Sequence, residues 1–531
     1  MIKSIFANSP LRAAALLTVT ICSALLILPG ATVTSMYFND LLIFLDGGYR
    51  VLHGQVPNRD FHTALGPLSF YIPGLGYGLS GDLGLAMPVG MAALMLLITP
   101  TLIHILQSRM RPLLAIPLAI FLLLLLATPM NTGEMAINIS FAMFYNRVGW
   151  VAIGLLLVMH LEPNRTVRWQ TQRDAAAAVL LTMIALYTKM TYGVVAVAFL
   201  LLTLLQARQR LWAANAVAIC LVSGLVIEAF WGGTRQHIED LATAAQVSGI
   251  IEWQIYIRSF VRVSGEYVVF LFFAGLALWH RPRITDFLFY GFCACAGYAL
   301  LNQNAQIVGI VTLLVGAAIA AEVVARHPPK GTTGAVARGT SLAAIVLMLP
   351  IGLSSVAALG LHAGMAAGQA GVALDTPNGT GLRIVNSLDR NHFNLYSNYG
   401  ETLETGAALL ASLDMPPSRV LAMDFVSPFT SLTGISPPEG GSAWMHDNRN
   451  FDMESYLPAE EMLGGVDIVM IPERPIADST TEKMEELYGD YLEQHFQLTG
   501  ENEHWRLYQR RNLLGIAAPP AVEDTRQMSL Y

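Results

Sequence analysis

Side chains able to carry out acid–base chemistry are concentrated in one polar segment, residues 36–83, which separates two apolar stretches. Asp40 comes early in this segment, just after an apolar stretch long enough to be a membrane helix. A carboxylate at that depth can act as a general base that takes a proton from an acceptor hydroxyl. Residues 41–53 have the apolar spacing of a helix lying on the membrane surface, so Asp40 could instead cap that helix. The sequence leaves both roles open.

The same segment contains a second charged group, formed by Arg59, Asp60 and His62. Asp60 lies between an arginine and a Phe-His pair, where it could orient a substrate. The alternative is a local ion pair between Arg59 and Asp60, which contributes little when it is exposed to solvent. We count all three residues as candidates for substrate binding.

The composition predicts that most of the chain lies in a membrane. Of 531 residues, 54% are hydrophobic and 13% are charged, against roughly 25% charged in an ordinary soluble domain. The predicted fold class is an all-α, multi-pass membrane body with about eleven transmembrane helices. The apolar spans lie near residues 13–35, 84–106, 113–128, 148–161, 175–188, 190–206, 211–230, 261–279, 286–301, 306–325 and 340–361.

Basic residues predict the orientation of this body. Arginines recur in alternate loops, for example Arg109 and Arg111 after the second span and Arg281 and Arg283 after the eighth. Positive residues in short loops are retained in the cytoplasm, so these loops and the N-terminus are predicted to be cytoplasmic. An odd number of spans then places the C-terminal tail on the opposite, outer face.

The tail differs from the body in charge and in hydrophobic pattern. Residues 365–531 contain 24 acidic and 10 basic residues, a net charge of −14. This predicts two domains, a membrane body at 1–364 and a soluble tail at 365–531, and it argues against nucleic acid as a partner. Strand-like runs at 419–425 and 466–472, a helical pattern at 482–493 and a hairpin pattern at 496–508, with its turn at 500–502, predict an α/β tail. No Gly-rich phosphate loop follows either run, so we do not expect a nucleotide-binding tail.

Several motifs together resemble a known enzyme family. Asp40, residues 54–61 and residues 66–71 resemble the first outer loop of C-type (GT-C) glycosyltransferases, especially the bacterial branch similar to protein O-mannosyltransferases and to the lipid A aminoarabinose transferase. Residues 144–150 and 185–193 are similar to two further stretches of these enzymes. The resemblance covers roughly residues 10–325 of the chain.

The resemblance implies a GT-C-like helical body in a bacterial inner membrane, with a periplasmic tail. It also implies a polyprenyl-phosphate sugar as donor, a membrane lipid or a glycan as partner, and a catalytic acid at the position of Asp40. The sequence departs from the family at Asn39, because many relatives have an acidic pair where Asn39 and Asp40 stand. That departure weakens a scheme with two carboxylates or a metal ion.

A polyprenyl-phosphate leaving group would need positive charge at the outer face, where Lys or Arg would stabilise it as the glycosidic bond breaks. Arg147 and Lys189 are the candidates, since each lies at the outer end of a predicted span. Tyr145, in the same stretch as Arg147, is counted with them as substrate-binding. The alternative for the two cations is that they snorkel to the membrane surface.

These features predict an inverting glycosyltransferase that moves a single sugar to a hydroxyl of a lipid, glycan or protein. The sequence shows no metal-ligand pattern and no Gly-x-Ser-x-Gly nucleophile motif. No cofactor is therefore expected beyond the lipid-linked donor. A divalent metal ion is compatible with the sequence, but no motif supports it. The alternative is a transporter or a non-catalytic assembly protein for envelope polysaccharide. A transporter would be expected to show internal repeats, which this chain lacks.

Overall fold

The chain is an integral membrane protein with a mostly helical fold. A computed structural model describes residues 9–164, 166–248, 253–303, 306–327, 334–386, 390–413 and 418–516. Each predicted apolar span overlaps a helix of the described chain, but the first span, predicted at 13–35, is too long: its helix ends at Ile27 and Thr32–Thr34 form a strand. These helices are Pro10–Ile27, Ala86–Arg109, Pro112–Ala127, Phe144–Val158, Gln170–Thr188, Met190–Thr203, Arg210–Trp231, Trp253–His280, Ile284–Gln303, Val311–Arg326 and Gly334–Ala367.

Six helical segments of the described chain are long and apolar enough to cross a membrane, and three more apolar helices are shorter. The six are Pro10–Ile27, Leu83–Arg109, Arg210–Trp231, Trp253–His280, Ile284–Gln303 and Gly334–Ala367. The membrane nature of the body is therefore confirmed, whereas the count of eleven crossings stays a prediction.

The polar segment after the first span contains two helices. The loop helix, Phe38–Leu52, begins three residues before the predicted start and is buried along most of its length. It does not lie on the membrane surface with a free polar face, because the tail covers that face. The second loop helix, Leu68–Ser80, was not predicted, and it packs against the loop helix and against Ala86–Arg109.

The tail is joined to the membrane body by a small sheet. Strand β1 (Thr32–Thr34) runs parallel to β3 (Leu382–Ile384), and β2 (Val372–Ala373) runs antiparallel to β3. Strand β1 follows the first membrane helix and precedes the loop helix in sequence. The chain leading to Asp40 is therefore hydrogen-bonded directly to the tail.

The rest of the tail has the predicted mixture of helices and strands. A four-stranded sheet has the order β4 (Val420–Ala422), β5 (Ile468–Pro472), β7 (Trp505–Arg510), β6 (Phe496–Glu501), with β4 and β5 parallel and the other pairs antiparallel. Its helices are Arg390–Ala411, Phe429–Thr433, Ala459–Leu463 and Asp478–His495. A further helix, Thr234–Val247, follows Arg210–Trp231 in the body. It contacts the polar segment 36–83, which we call the loop segment, through Asp240 and His62.

The hairpin turn lies slightly later in the sequence than expected. We predicted it at 500–502, but Gly500 and Glu501 belong to β6 and the turn is formed by residues 502–504. The reason is the side chain of Asn502, whose Oδ1 accepts hydrogen bonds of 2.9 Å from the backbone N–H groups of His504 and Trp505. Asn side chains stabilise turns in this way by mimicking a backbone carbonyl.

Arginines from several loops meet at the other end of the body in what we call the arginine network. Arg109 forms a bidentate pair with Asp174, with distances of 3.0 and 2.7 Å. Glu322, which is fully buried, accepts from both Arg111 and Arg326. Five further residues complete the network through the pairs Arg281–Asp286, Arg208–Glu162 and Arg283–Glu162. The arginine-containing loops that the charge pattern assigned to the cytoplasmic side thus lie together at one end of the body.

Replacing Gly76 tests the close packing of the second loop helix. A Cβ atom at Gly76 would collide with the backbone carbonyl oxygen of Ala86, whereas one at Gly78 would meet only the end of the Leu52 side chain at 3.2 Å. Overpacking typically costs about 1–3 kcal/mol, so we expect Gly76→Ala to lower the thermal aggregation midpoint of the detergent-solubilised protein. The control Gly78→Ala should leave the midpoint unchanged. Equal midpoints for both variants would contradict the close approach of the two helices.

Candidate active site

Asp40 lies in the first turn of the loop helix and is only half-buried. Tyr37, with a left-handed backbone (φ 55°), holds the N-cap position and makes no side-chain cap hydrogen bond, whereas the Asp40 carboxylate accepts a hydrogen bond from its own backbone N–H in the first turn. Burial raises the pKa of the Asp40 carboxyl to about 6. A carboxylate with a pKa nearer neutrality is a stronger base than an ordinary aspartate, which suits general base catalysis.

Tyrosines from three parts of the chain surround Asp40. Tyr37 precedes it, Tyr145 comes from the first turn of Phe144–Val158, and Tyr396 comes from the tail helix Arg390–Ala411. Burial raises the pKa of Tyr396, and the charges of Asp40 and Glu134 raise it further. Tyr396 is therefore close to both carboxylates, so the tail forms one wall of the site.

Glu134 is a second carboxylate near Asp40 that the sequence analysis did not select. Its side chain accepts hydrogen bonds from the Tyr37 hydroxyl at 3.0 Å and from Asn131 Nδ2 at 3.3 Å. The available signal was weak: Glu134 is one acidic residue in the polar loop between two apolar spans. The loop and Asp40 are distant in sequence, so only the fold brings the two carboxylates together.

Arg147 is buried in the same region, with 1% of its surface exposed. Its Nη1 donates to the backbone oxygen of Met130 at 3.0 Å. Its Nε and Nη2 atoms have no hydrogen-bond partner among the described residues. Buried donors without a partner are costly, and they can be satisfied by an anion that binds at this point.

Lys189 occupies a break between Gln170–Thr188 and Met190–Thr203, where its own backbone is extended. The two short apolar spans around it, 175–188 and 190–206, could form one kinked helix or two helices, and the structure has two. Its Nζ lies 4.8 Å from the centre of the Tyr145 ring, within the range of a cation–π interaction. The lysine ammonium is thus placed on the tyrosine that lies next to Asp40.

The glycine-proline motif at residues 66–71 helps to hold this break in position. The N–H of Gly66 and the hydroxyl of Ser69 both donate to the backbone oxygen of Thr188, at 3.2 and 3.0 Å. A side chain at Gly66 would collide with the backbone of Tyr187 and Thr188. Two of the stretches that carry the family resemblance therefore pack against each other beside Lys189.

Arg59, Asp60 and His62 are not part of this group. They follow the other end of the loop helix, whose 15 residues separate its two ends by about 20 Å. There they line a cavity of about 600 Å³ between the loop segment and the tail. Arg59 Nε and Asp60 Oδ1 form an ion pair of 3.1 Å, with Arg59 48% exposed. The seven predicted site residues thus form two separate groups, and only Asp40, Tyr145, Arg147 and Lys189 lie in the region of Asp40.

His62 connects three parts of the chain. Its Nδ1 is 2.8 Å from Asp240 Oδ1 in Thr234–Val247, and its Nε2 is 2.8 Å from Glu461 Oε1 in the tail. Burial by itself lowers the pKa of His62, but the two carboxylates outweigh it and the pKa is raised. A protonated imidazole can donate to both carboxylates at once, so His62 ties the tail to the membrane body.

We expect this contact to weaken at high pH. Because the pKa of His62 is raised in the folded protein, its stabilising effect is complete below about 6.5 and is lost as the pH rises through the folded value. Hydrogen exchange of Ala459–Leu463, relative to the intrinsic exchange rate at each pH, should therefore become faster across that transition. In His62→Gln the exchange should be fast at every pH, whereas the control His53→Gln should keep the transition. A wild-type exchange rate without this transition would contradict a charged His62.

The described residues contain no group of three or more His, Cys, Asp or Glu side chains that could hold a metal ion. Asp40 and Glu134 are two carboxylates in one region, which also contains the positive side chains of Arg147 and Lys189. The arrangement offers a base, two positive groups and aromatic walls at the same end of the membrane body as the tail.

No protein-family model matches this chain, and no curated protein matches it. Solved structures similar to it include the following two. ArnT from Cupriavidus metallidurans in the apo state is 12% identical, with 95% of this chain and 98% of that chain covered and a TM-score of 0.45. The oligosaccharyltransferase from Archaeoglobus fulgidus, in complex with Zn and sulfate, is 9% identical, with 93% and 72% covered and a TM-score of 0.34.

Proposed function

We propose that this protein is a membrane glycosyltransferase that moves one sugar from a polyprenyl-phosphate carrier to an acceptor hydroxyl, with inversion at the anomeric carbon. The observation that carries the proposal is the combination of a half-buried Asp40, its pKa raised to about 6, with a buried Arg147 whose guanidinium has unpartnered donors. A base and an anion site are the two elements that this reaction requires.

In the proposed reaction, Asp40 removes the proton of the acceptor hydroxyl as its oxygen attacks the anomeric carbon. The bond between that carbon and the phosphate oxygen breaks, and its electron pair stays on the polyprenyl phosphate. Arg147 and Lys189 stabilise the charge that develops on the phosphate, through charge-assisted hydrogen bonds and the positive charge of the ammonium. Attack from the side opposite the phosphate inverts the configuration.

A lipid-borne donor suits the position of the site. Arg147 lies in the first turn of an apolar helix. Asp40 lies in the first turn of the loop helix, which follows the first membrane helix and strand β1 in the sequence. A phosphate at the end of a polyprenyl chain would reach this depth while its chain stays among the apolar helices. The acceptor is a hydroxyl of a lipid, a glycan or a protein.

We further propose that the site faces the periplasm of a bacterial inner membrane, with the N-terminus in the cytoplasm. The supporting observation is that Asp40 and the tail share one end of the body, through the contact with Tyr396. The loop arginines Arg109, Arg111 and Arg281 belong to the arginine network, whose excess of positive residues favours the cytoplasmic side.

Asp40→Asn tests the base. An amide cannot accept the proton, so we expect transfer to fall by roughly 10²–10⁴-fold, the usual contribution of a general base. Sugar transfer would be measured in membranes supplied with radiolabelled polyprenyl-phosphate sugars, at matched protein levels. The control Glu239→Gln removes a carboxylate from an exposed helical ion pair and should keep full activity. Wild-type transfer by Asp40→Asn would refute the proposed role of Asp40.

The pH dependence of wild-type transfer gives an independent test of Asp40. The base must be deprotonated, so a pKa of about 6 in the free protein predicts that kcat/KM rises with pH through a midpoint near 6 and then levels off. Because the pKa is raised, activity should be lost at a higher pH than an ordinary aspartate would allow. An acidic limb centred near 4, the ordinary value, would show that a different group titrates.

Arg147→Gln tests the anion site. Removing hydrogen bonds to a charged group costs about 1.5–3 kcal/mol, so we expect the KM for the donor to rise about ten- to a hundredfold. Arg147→Lys should restore part of the loss because it retains the charge. Arg235→Gln, at a 90% exposed arginine, should leave the KM unchanged. Equal donor KM values for Arg147→Gln and wild type would place the phosphate elsewhere.

A further inference from the structure

The cavity beside Arg59, Asp60 and His62 is separate from the Asp40 site. It has a volume of about 600 Å³ and lies between the loop segment and the tail, which contributes Arg419 and Glu439 to its walls. Volumes of this size are typical of small-molecule binding sites. The loop helix places the cavity about 20 Å from Asp40.

Hydrogen bonds between the two walls hold the cavity in shape. Gln55 Nε2 donates to the backbone oxygen of Pro438 at 2.8 Å, and Arg50 Nη2 donates to that of Gly440 at 2.8 Å. The backbone of His62 also pairs with residues 441 and 443 of the tail, with distances of 2.8 and 2.9 Å. The walls are therefore joined along their length, so the cavity is a built part of the fold.

The positive charges in the cavity are already paired. Arg59 binds Asp60 at 3.1 Å, and Arg419 binds Asp467 at 2.7 Å. His62 contacts carboxylates through both of its ring nitrogens. An anionic ligand such as a phosphate would meet no uncompensated positive charge here. A neutral ligand with many hydroxyl groups would find donors on the arginines and acceptors on neighbouring carboxylates.

We propose that this cavity binds a neutral carbohydrate chain. Sugar hydroxyls both donate and accept hydrogen bonds, which matches adjacent guanidinium and carboxylate groups. The proposal rests on the proposed function in one respect: in a transferase, the cavity would hold the distal sugars of a glycan acceptor whose reacting hydroxyl lies at Asp40. The separation of about 20 Å between the sites then selects extended acceptors over single sugars.

Binding is tested directly with the full-length protein in nanodiscs. Saturation-transfer difference NMR would use neutral tetrasaccharides of glucose, mannose and N-acetylglucosamine, with inorganic phosphate as a competitor. We expect at least one tetrasaccharide to bind and phosphate not to displace it. Absence of binding by all three, or displacement by phosphate, would overturn the proposal.

Variants locate the binding. Glu439→Gln and Arg59→Gln change cavity side chains without altering their size greatly, and each should weaken tetrasaccharide binding at least fivefold. The matched control Glu503→Gln, at a 74% exposed residue of the tail, should bind as wild type does. Unchanged binding in both cavity variants would overturn the proposed location.

Asp40→Asn separates this inference from the proposed function. If both hold, Asp40→Asn loses transfer and retains tetrasaccharide binding, whereas Glu439→Gln raises the KM for a glycan acceptor with little change in kcat. If transfer does not depend on Asp40 while the cavity variants lose binding, the carbohydrate site stands and the proposed base fails. An unchanged KM in Glu439→Gln would overturn the role of the cavity in acceptor binding. Comparing free and lipid-linked forms of the bound glycan shows which source the cavity accepts.

Discussion

The arrangement of this protein depends on the burial of one amphipathic helix between a membrane body and a soluble tail. The loop helix, Phe38–Leu52, contains Asp46 and Arg50, both buried. Asp46 accepts a hydrogen bond from the Thr430 hydroxyl at 2.5 Å, and Arg50 donates to two backbone oxygens of the tail. Buried charged groups need such partners because leaving them unpaired costs several kcal/mol. The tail therefore has to dock on the helix, and docking fixes both ends of it.

Docking has different consequences at the two ends of the loop helix. At the N-terminal end, the tail brings Tyr396 to Asp40, and burial of the carboxyl keeps its pKa well above that of an exposed aspartate. At the C-terminal end, the tail closes a polar cavity in which the positive charges are paired. One region thus has groups suited to a reaction and to an anion, and the other has groups suited to a neutral polar ligand. The helix holds the two at a constant separation.

On the membrane side of the Asp40 region, charged side chains also have partners. Arg147 and Lys189 are positive residues next to apolar helices, where an unpaired charge is expensive. Arg147 donates to the backbone oxygen of Met130, and Lys189 lies over the ring of Tyr145. At the opposite end, by contrast, the arginines are paired with carboxylates such as Asp174 and Glu322. Arg147 thus differs from those arginines, because its described partner is a backbone carbonyl and not a carboxylate.

The sequence by itself determined the elements and the residue types. Its apolar spans, strand-like runs and alternating arginines follow from hydrophobic periodicity and from the distribution of charge, which are local properties. Asp40, Arg147 and Lys189 could be selected because positive and acidic residues are scarce near apolar spans. Only the tertiary structure decided which of them lie together. Glu134 and Tyr396 joined the region of Asp40, and Asp240 and Glu461 joined His62, because these positions depend on contacts between segments far apart in the sequence. No local pattern encodes how a tail strand at Leu382–Ile384 pairs with Thr32–Thr34, and that pairing helps to set the position of the site.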